Sequence, residues 1–313
     1  MRPPWHLAAP DCHFLHSMSA AVPSSAPVVI IAIVNFNSGD WLRRCVAAAL
    51  ASTVPVAVQV GDNGSIDDSV ARLRAAHGND PRLAIMENGA NLGFGRALNR
   101  LLDIDNAAVP WRLVLNPDCR IEPDTLARLL AVLADFPKVG MAGPLIVNPD
   151  GSEQRGCRRH LPTFATSALR SLGLGKLLPT GKGNFDLTGT PLPPGPVPMP
   201  AISGAFMLLR QTALAEVGGM DEGYFLHCED VDWCARFQQA GWPILFVPNV
   251  MVMHEQGTCS VSRPWFVEWH KHRGMLRYAR KFEGPLLALL VAPLVWARFA
   301  LIAARIAVRR LRK

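Results

Sequence analysis

Carboxylates placed just after apolar runs are the residues of this 313-residue chain best suited to chemistry. Val28–Val34 leads into Asn35-Phe36-Asn37-Ser38, and Val54–Gly61 leads into Asp62-Asn63-Gly64-Ser65. Open α/β sheets bind ligands at the carboxyl ends of their strands. An aspartate there can accept the N3–H of a pyrimidine, and a following glycine lets backbone approach the ligand. The same residues serve equally well as a turn and a helix cap. A third run, Leu113–Asp118 (LVLNPD), delivers Asp118 past a proline. Magnesium and manganese take oxygen ligands and leave positions to phosphate and water, so one carboxylate suffices for a site, while Asn-Pro-Asp is also ordinary turn chemistry.

The segment Gly219–Trp242, GMDEGYFLHCEDVDWCARFQQAGW, carries acids at 221, 222, 229, 230 and 232 ahead of an amphipathic helix. The helix dipole favours acids in a first turn, so some of these need no catalytic explanation, and one can still act as a base. Glu229 and Asp230 are consecutive and would project about 100° apart on a helix, which argues against a shared role. Val252–His254 is a short apolar run ending in a histidine that either completes a metal site or is structural.

Elements that must hold these residues follow from periodicity. Continuous aliphatic runs at Val28–Val34, Val54–Gly61, Leu83–Met86, Trp111–Leu115 and Val139–Ala142 read as buried strands. Helical patterning at Gly39–Ala51, Asp67–His77, Leu92–Asp103 and Thr125–Ala134 alternates with them, which predicts a mostly parallel sheet covered by helices. Residues 148–200 break the pattern with Arg155, Arg158 and Arg159, a Gly/Leu stretch at 171–178 and a Pro-rich stretch at 191–200, and read as a long functional loop with one short helix. Order resumes with a strand at Ala205–Leu209, a short helix after Thr212, a helix at Glu229–Ala240 and two strands, Ile244–Val247 and Val250–Met253.

Composition bounds the class. Half the residues are hydrophobic and the mean hydropathy is +0.17, enough for a substantial core and contrary to disorder. The seven cysteines are scattered without a Cys-x-x-Cys pair, which argues against a disulfide framework or structural zinc and fits a reducing compartment. Of the net charge of +7, residues 263–313 hold 12 Lys/Arg against 2 Asp/Glu, leaving the preceding 262 residues at −3. A basic end on a slightly acidic body points to an anionic surface as partner. The N-terminal stretch is broken by Pro3, Pro4, His6 and Asp11, which argues against a signal peptide. Residues 1–26 read as a flexible leader in which Met18 is an alternative start.

Taken in order, these segments resemble the family-two inverting glycosyltransferases of GT-A-type fold, in the branch of bacterial rhamnosyltransferases. The resemblance spans about residues 28–280 and rests on VNFNSGDWL (34–42), DNGSIDDS (62–69), NGANLGFGRALN (88–99), LNPD (115–118), GSEQRGCRRHLPT (151–163), SGAFMLLR (203–210), the 219–242 block and MHEQGTCS (253–260). It implies that Asp62 binds the uracil or thymine, that Asn35 touches the nucleoside, and that Asn63, Asn88, Asn91, Arg96 and Asn116 line the donor side. It also implies Asp118 and His254 at a Mg²⁺ or Mn²⁺ site, Asn116 standing where the family commonly has the first acid of Asp-x-Asp. Asp230 matches the general base. Glu229, Arg158, Arg159 and Trp265 fall on the acceptor side, where the arginines suit a lipid diphosphate or are simply solvated. The reaction implied is a single inverting displacement on a dTDP- or UDP-sugar, L-rhamnose by branch, toward a glycan or lipid-linked hydroxyl. A catalytically silent sugar-nucleotide-binding scaffold is the competing class.

The chain therefore divides into a GT-A domain over 27–262 and a basic helical segment over 263–313. Gly284–Ala297 is uncharged for 14 residues, too few to span a bilayer, and Pro293 interrupts it. Arg298, Arg305, Arg309 and Arg312 fall within about 60° on a helical wheel, bordered by Leu294, Leu301 and Ile302, with Val308 farther round. That pattern predicts an interfacial helix on the cytoplasmic face of the inner membrane, or else a terminal helix packed on the domain. No nucleic-acid-binding motif accompanies the basic charge.

Overall fold

A computed structural model describes residues 26–102, 107–163, 185–255 and 264–311. The leader up to residue 25, the Gly/Leu stretch at 171–178 and the boundary drawn at 262 lie outside the described residues. The parallel half of the sheet is built from β1 (Val29–Asn35), β2 (Val56–Asp62), β3 (Leu83–Glu87) and β4 (Trp111–Leu115), with α1 (Asp40–Leu50), α2 (Ser69–His77) and α3 (Phe94–Asn99) between them. All seven residues of β1 and all five of β4 are buried, because helices cover both faces; continuous apolar runs result instead of alternation. On α1 the buried residues Leu42, Cys45, Val46, Ala49 and Leu50 recur every three to four positions and face the sheet.

Next along the chain come β5 (Cys119–Arg120), α4 (Thr125–Ala134), β6 (Met141–Val147), β7 (Arg158–Arg159), β8 (Val197–Pro198), β9 (Ala201–Ile202) and β10 (Phe206–Arg210). They are followed by α5 (Gln211–Val217), α6 (Glu229–Gln239), β11 (Ile244–His254), α7 (Pro264–Phe282) and α8 (Pro285–Leu311). The strand order is β3-β2-β1-β4-β10-β6-β11-β5, with β8 also on β11. Pairing among β1 to β4 and between β6 and β11 is parallel; β10 runs antiparallel to both β4 and β6.

The expected mostly parallel sheet flanked by helices is thus present, and three details depart from the periodicity reading. β10 is inserted antiparallel, since an apolar run specifies burial and not direction. The two late strands are one eleven-residue strand, β11, with an irregularity between Val247 and Met251 that absorbs Pro248. Finally, α8 runs continuously through Pro293. Buried residues on both sides of the proline, Ala288 and Val291 before it and Ala303 after it, seat the helix despite the lost backbone bond. From Pro285 to Val308 it is long and apolar enough to cross a membrane, correcting the expectation that the apolar stretch is too short.

Candidate active site

Register assembles the first part of the site. Asn35 and Asp62, the last residues of β1 and β2, are partners across the parallel ladder. The Asn35 amide donates to Asp62 Oδ1 at 2.8 Å, and the Ser65 backbone N–H donates to Asp62 Oδ2 at 3.1 Å. Asp62 is therefore held at the strand ends with only 7% of its surface exposed. Asn63 lies beside it but turns away: its amide N–H donates to Asn91 Oδ1 at 3.0 Å, and its Oδ1 accepts from the Leu92 N–H at 3.0 Å. Asn88 accepts a bond from Arg100. These three asparagines thus fasten the 88–93 loop to the end of β2. Gly64 lets that loop close, because a Cβ there would lie 2.8 Å from the Ala90 backbone. Arg96, read from sequence as a donor-side residue, is a half-exposed ion pair with Glu222 at 2.8 Å.

The second part is made by β5. This two-residue strand pairs Cys119 with His254 at the end of β11, bringing residues 118 and 254 together across 136 positions of sequence. His254 Nε2 lies 3.0 Å from Asp118 Oδ1 and 3.3 Å from the Asn116 amide nitrogen. On the far side of the ring, His254 Nδ1 lies 2.6 Å from Gln154 Oε1. The Gln154 amide N–H groups donate to the His254 carbonyl and to Asn148 Oδ1, so Gln154 Oε1 is the acceptor and Nδ1 carries the proton. Nε2 is thereby the ring nitrogen that faces the Asp118 carboxylate and the Asn116 amide. A buried carboxylate oxygen and an imidazole nitrogen 3.0 Å apart would offer a divalent cation a hard O/N donor pair, with remaining positions left for phosphate and water. Cys119 Sγ is within reach of both groups. Burial pushes its pKa well up and its S–H donates to the Ala205 carbonyl at 3.4 Å, which makes Asp118 and His254 the better candidates to hold a cation.

The third part sits at the start of α6. His227 and Cys228 both adopt positive φ, a sharp entry that begins the helix at Glu229. Asp230 Oδ1 accepts from the Val231 N–H at 2.8 Å, and Oδ2 is ion-paired with Arg159 Nη2 at 2.5 Å. Burial raises the Asp230 pKa, but the Arg159 charge and hydrogen bond, with the Val231 N–H, outweigh it and bring the carboxyl below its ordinary value. Glu229 shows the opposite balance: burial, then the neighbouring Asp230 charge, push it up to about 8. The other acids of the block are structural. Asp221 pairs with Arg277 and Lys281, Glu222 with Arg96, and Asp232 with Arg236 and Lys281.

Arg159 reaches Asp230 because β7 and β9 form a small antiparallel sheet, with Arg159 Nη2 also donating to the Ile202 carbonyl at 2.6 Å. The same turn leads through Gly204, where a Cβ would lie 3.1 Å from that of Asp230, to Ala205, whose carbonyl accepts from the Asn116 N–H. Residues 202–205 thereby link the Asp118 side to the Asp230 side. Arg158 does not face a ligand: it is 3% exposed, paired with Glu153 at 2.6 Å and bonded to the carbonyls of Leu187, Thr190 and Pro191. Its acceptor-side reading gives way to that of a staple for the 187–191 turn. Trp265, at the start of α7, is 37% exposed. Gln154 and Gly204 escaped the residue-by-residue reading, since nothing in their spacing marks them; both lie in segments that carry the family resemblance.

A mixed sheet whose strand ends gather an Asn/Asp shelf, an Asp/His pair and a carboxylate on a helix N-terminus defines a GT-A-type nucleotide-diphospho-sugar transferase architecture. Residues 26–276 match the family described as Glycosyltransferase like family 2, and the chain belongs to that family. It is a glycosyltransferase. It is 34% identical over 239 residues to the N-acetylglucosaminyl-diphospho-decaprenol L-rhamnosyltransferase of Mycobacterium tuberculosis, covering 73% of this chain and 76% of that one. Its fold is similar to that of the mannosyltransferase PcManGT from Pyrobaculum calidifontis, solved with GDP-Man and Mn²⁺ (TM-score 0.55, 17% identity, 88% and 70% of the two chains). It is also similar to GalNAc-T7, solved with UDP, GalNAc and Mn²⁺ (TM-score 0.57, 16% identity, 82% and 48%).

Proposed function

We propose that this glycosyltransferase transfers L-rhamnose, with inversion, from dTDP-L-rhamnose to a hydroxyl of a lipid-linked glycan precursor at the cytoplasmic face of the inner membrane. The observation that carries the reading is the placement at the strand ends and the adjoining helix start of Asp62, the Asp118/His254 pair and the ionised Asp230. The rhamnosyl specificity and the lipid-diphosphate acceptor are supported by the name and coverage of the mycobacterial relative.

In this reading Asp62, aimed by Asn35 and the Ser65 N–H, accepts the N3–H of thymine. Asp118 and His254 hold Mg²⁺ or Mn²⁺, with Gln154 fixing the histidine tautomer. The bound ion supplies charge neutralisation for the departing nucleoside diphosphate, so no second protein acid is needed at the leaving group. Asp230, ionised at neutral pH, accepts the acceptor hydroxyl proton as that oxygen attacks the anomeric carbon. The domain over 27–262 performs the chemistry and the segment 263–313 holds it at the membrane.

Calorimetric titration of the protein with dTDP-, UDP- and GDP-sugars in Mg²⁺ or Mn²⁺, beside a transfer assay, tests this. We expect metal-dependent binding of dTDP-rhamnose that Asp118→Ala abolishes. Asp230→Asn is expected to bind donor normally while transfer falls by at least about 10²-fold, the usual contribution of a general base. Full transfer by Asp230→Asn, or donor binding indifferent to metal, overturns the assignment.

A further inference from the structure

The α7–α8 hairpin presents an apolar face that no other part of the described chain covers. Leu286, Leu289, Leu290, Leu294, Leu301 and Val308 lie along one stripe of α8, with Leu286 and Leu289 each 71% exposed, Leu290 64% and Leu301 65%. The helix from Pro285 to Val308 is as apolar as a membrane span, yet only 17% of its most apolar window is buried in the protein. We propose that α8 lies flat on an anionic lipid bilayer with this leucine face down and α7 backing it, and that it does not cross the bilayer.

Packing decides between lying flat and spanning. Trp269 of α7 touches Trp296 and Phe299 of α8, His272 packs on Phe299, and Arg298 Nη1 reaches His272 Nε2 at 3.0 Å. If α8 crossed the hydrocarbon, it would have to leave these contacts or take α7 with it. Yet α7 carries Glu268, Lys271, Arg273, Arg277, Arg280 and Lys281, and charges at the bilayer centre are strongly disfavoured. It is also fastened to the catalytic body. Asp221 pairs with Arg277 at 2.7 Å and Lys281 at 2.8 Å, Asp232 pairs with Lys281 at 2.7 Å, and His270 stacks on Phe225 at 4.5 Å.

Charge identifies the occupant. Residues 263–313 carry a net +10, counting 12 Lys/Arg and 2 Asp/Glu, and Arg298 and Arg305 are exposed on α8 itself. Anionic headgroups complement that charge, whereas a second copy seated on the same face would oppose +10 with +10. The hairpin also abuts the site: Gly274 of α7 lies against His227 and Cys228, and Phe225 lies against Gly93. Docking therefore holds the Asp230 turn close to the lipid surface, a consequence that rests on the acceptor reading above; the docking itself does not.

Flotation of the full chain with vesicles of phosphatidylcholine, alone and with phosphatidylglycerol, tests the proposal. Binding is expected on the anionic vesicles, at least roughly tenfold weaker on neutral ones, and reversed by alkaline carbonate. The double variant Leu289→Glu/Leu290→Glu, altering exposed residues, should keep the wild-type melting temperature and lose binding by at least about tenfold. Carbonate-resistant binding indifferent to lipid charge identifies a spanning helix and overturns the proposal. Failure to bind either vesicle overturns it too, as does a dimer in sedimentation that the double variant dissolves. None of these readouts requires transfer activity, so the catalytic reading stands or falls separately.

Discussion

Asp230 shows how a single side chain is tuned by its surroundings. Burial disfavours its ionised form, and the guanidinium of Arg159 reverses that. Other groups around it are Glu229, whose pKa burial raises, His227, Cys228 and Cys234, while Lys271 and Glu268 of α7 act on His227. Arg159→Gln removes the stabilising charge and leaves the burial, so the Asp230 pKa rises. The acid limb of kcat/KM for transfer should then move to higher pH by about one unit or more. Arg159→Lys should move it less, because the positive charge beside Asp230 is kept. A pH profile that only scales downward would make Arg159 a structural residue. An effect confined to the acceptor KM would restore its sequence-level reading as an acceptor contact. Gln154 belongs to this scale as well: its amide selects the His254 tautomer from 100 residues away.

Among the elements, the smallest do the positioning. β5 contributes two residues and joins Asp118 to His254; β7 and β9 contribute two each and join Arg159 to Asp230. α7 clamps the turn that precedes Asp230 through Asp221. That carboxylate is pushed up by burial and pulled down further by Arg277, Lys281 and the Gly223 N–H, ending well below the ordinary range. A carboxyl whose folded pKa is depressed contributes stability that is fully present above its unfolded value, about 4, and fades as pH falls through the folded value. Asp221→Asn should therefore lower the melting temperature at pH 7, and the gap to wild type should close as the pH is taken below about 4. A gap that persists unchanged in acid would show that the loss is one of packing.

At the scale of the whole molecule, the basic hairpin contrasts with the slightly acidic body, and the proposed docking makes a salt-dependence prediction. Exposed charge is screened over about 8 Å at physiological ionic strength, so docking should weaken with added salt while the buried site keeps its electrostatics. On anionic vesicles, transfer to a long-chain lipid acceptor should fall as salt rises, and transfer to a short-chain soluble acceptor should change little. Equal salt sensitivity for both acceptors would place the effect in the catalytic site instead.

Buried strands and amphipathic helices were legible from the chain alone because apolar periodicity is a local property. So was the set of strand-end polar residues, Asn35, Asp62, Asp118 and His254, because carboxyl ends of strands follow apolar runs directly. The Asn-Pro-Asp departure from Asp-x-Asp was equally plain. Direction and partnership were not, since they depend on residues far apart in sequence. Only the folded chain sets β10 antiparallel in mid-sheet, aims His254 with Gln154, turns Arg158 inward to Glu153 while Arg159 reaches Asp230, and spends Asn63, Asn88 and Asn91 on one another. The C-terminal helix makes the same point in energetic terms. Hydropathy permits it to cross a membrane, and contacts with the charged α7, which sequence periodicity does not encode, determine which of its faces remains to be buried.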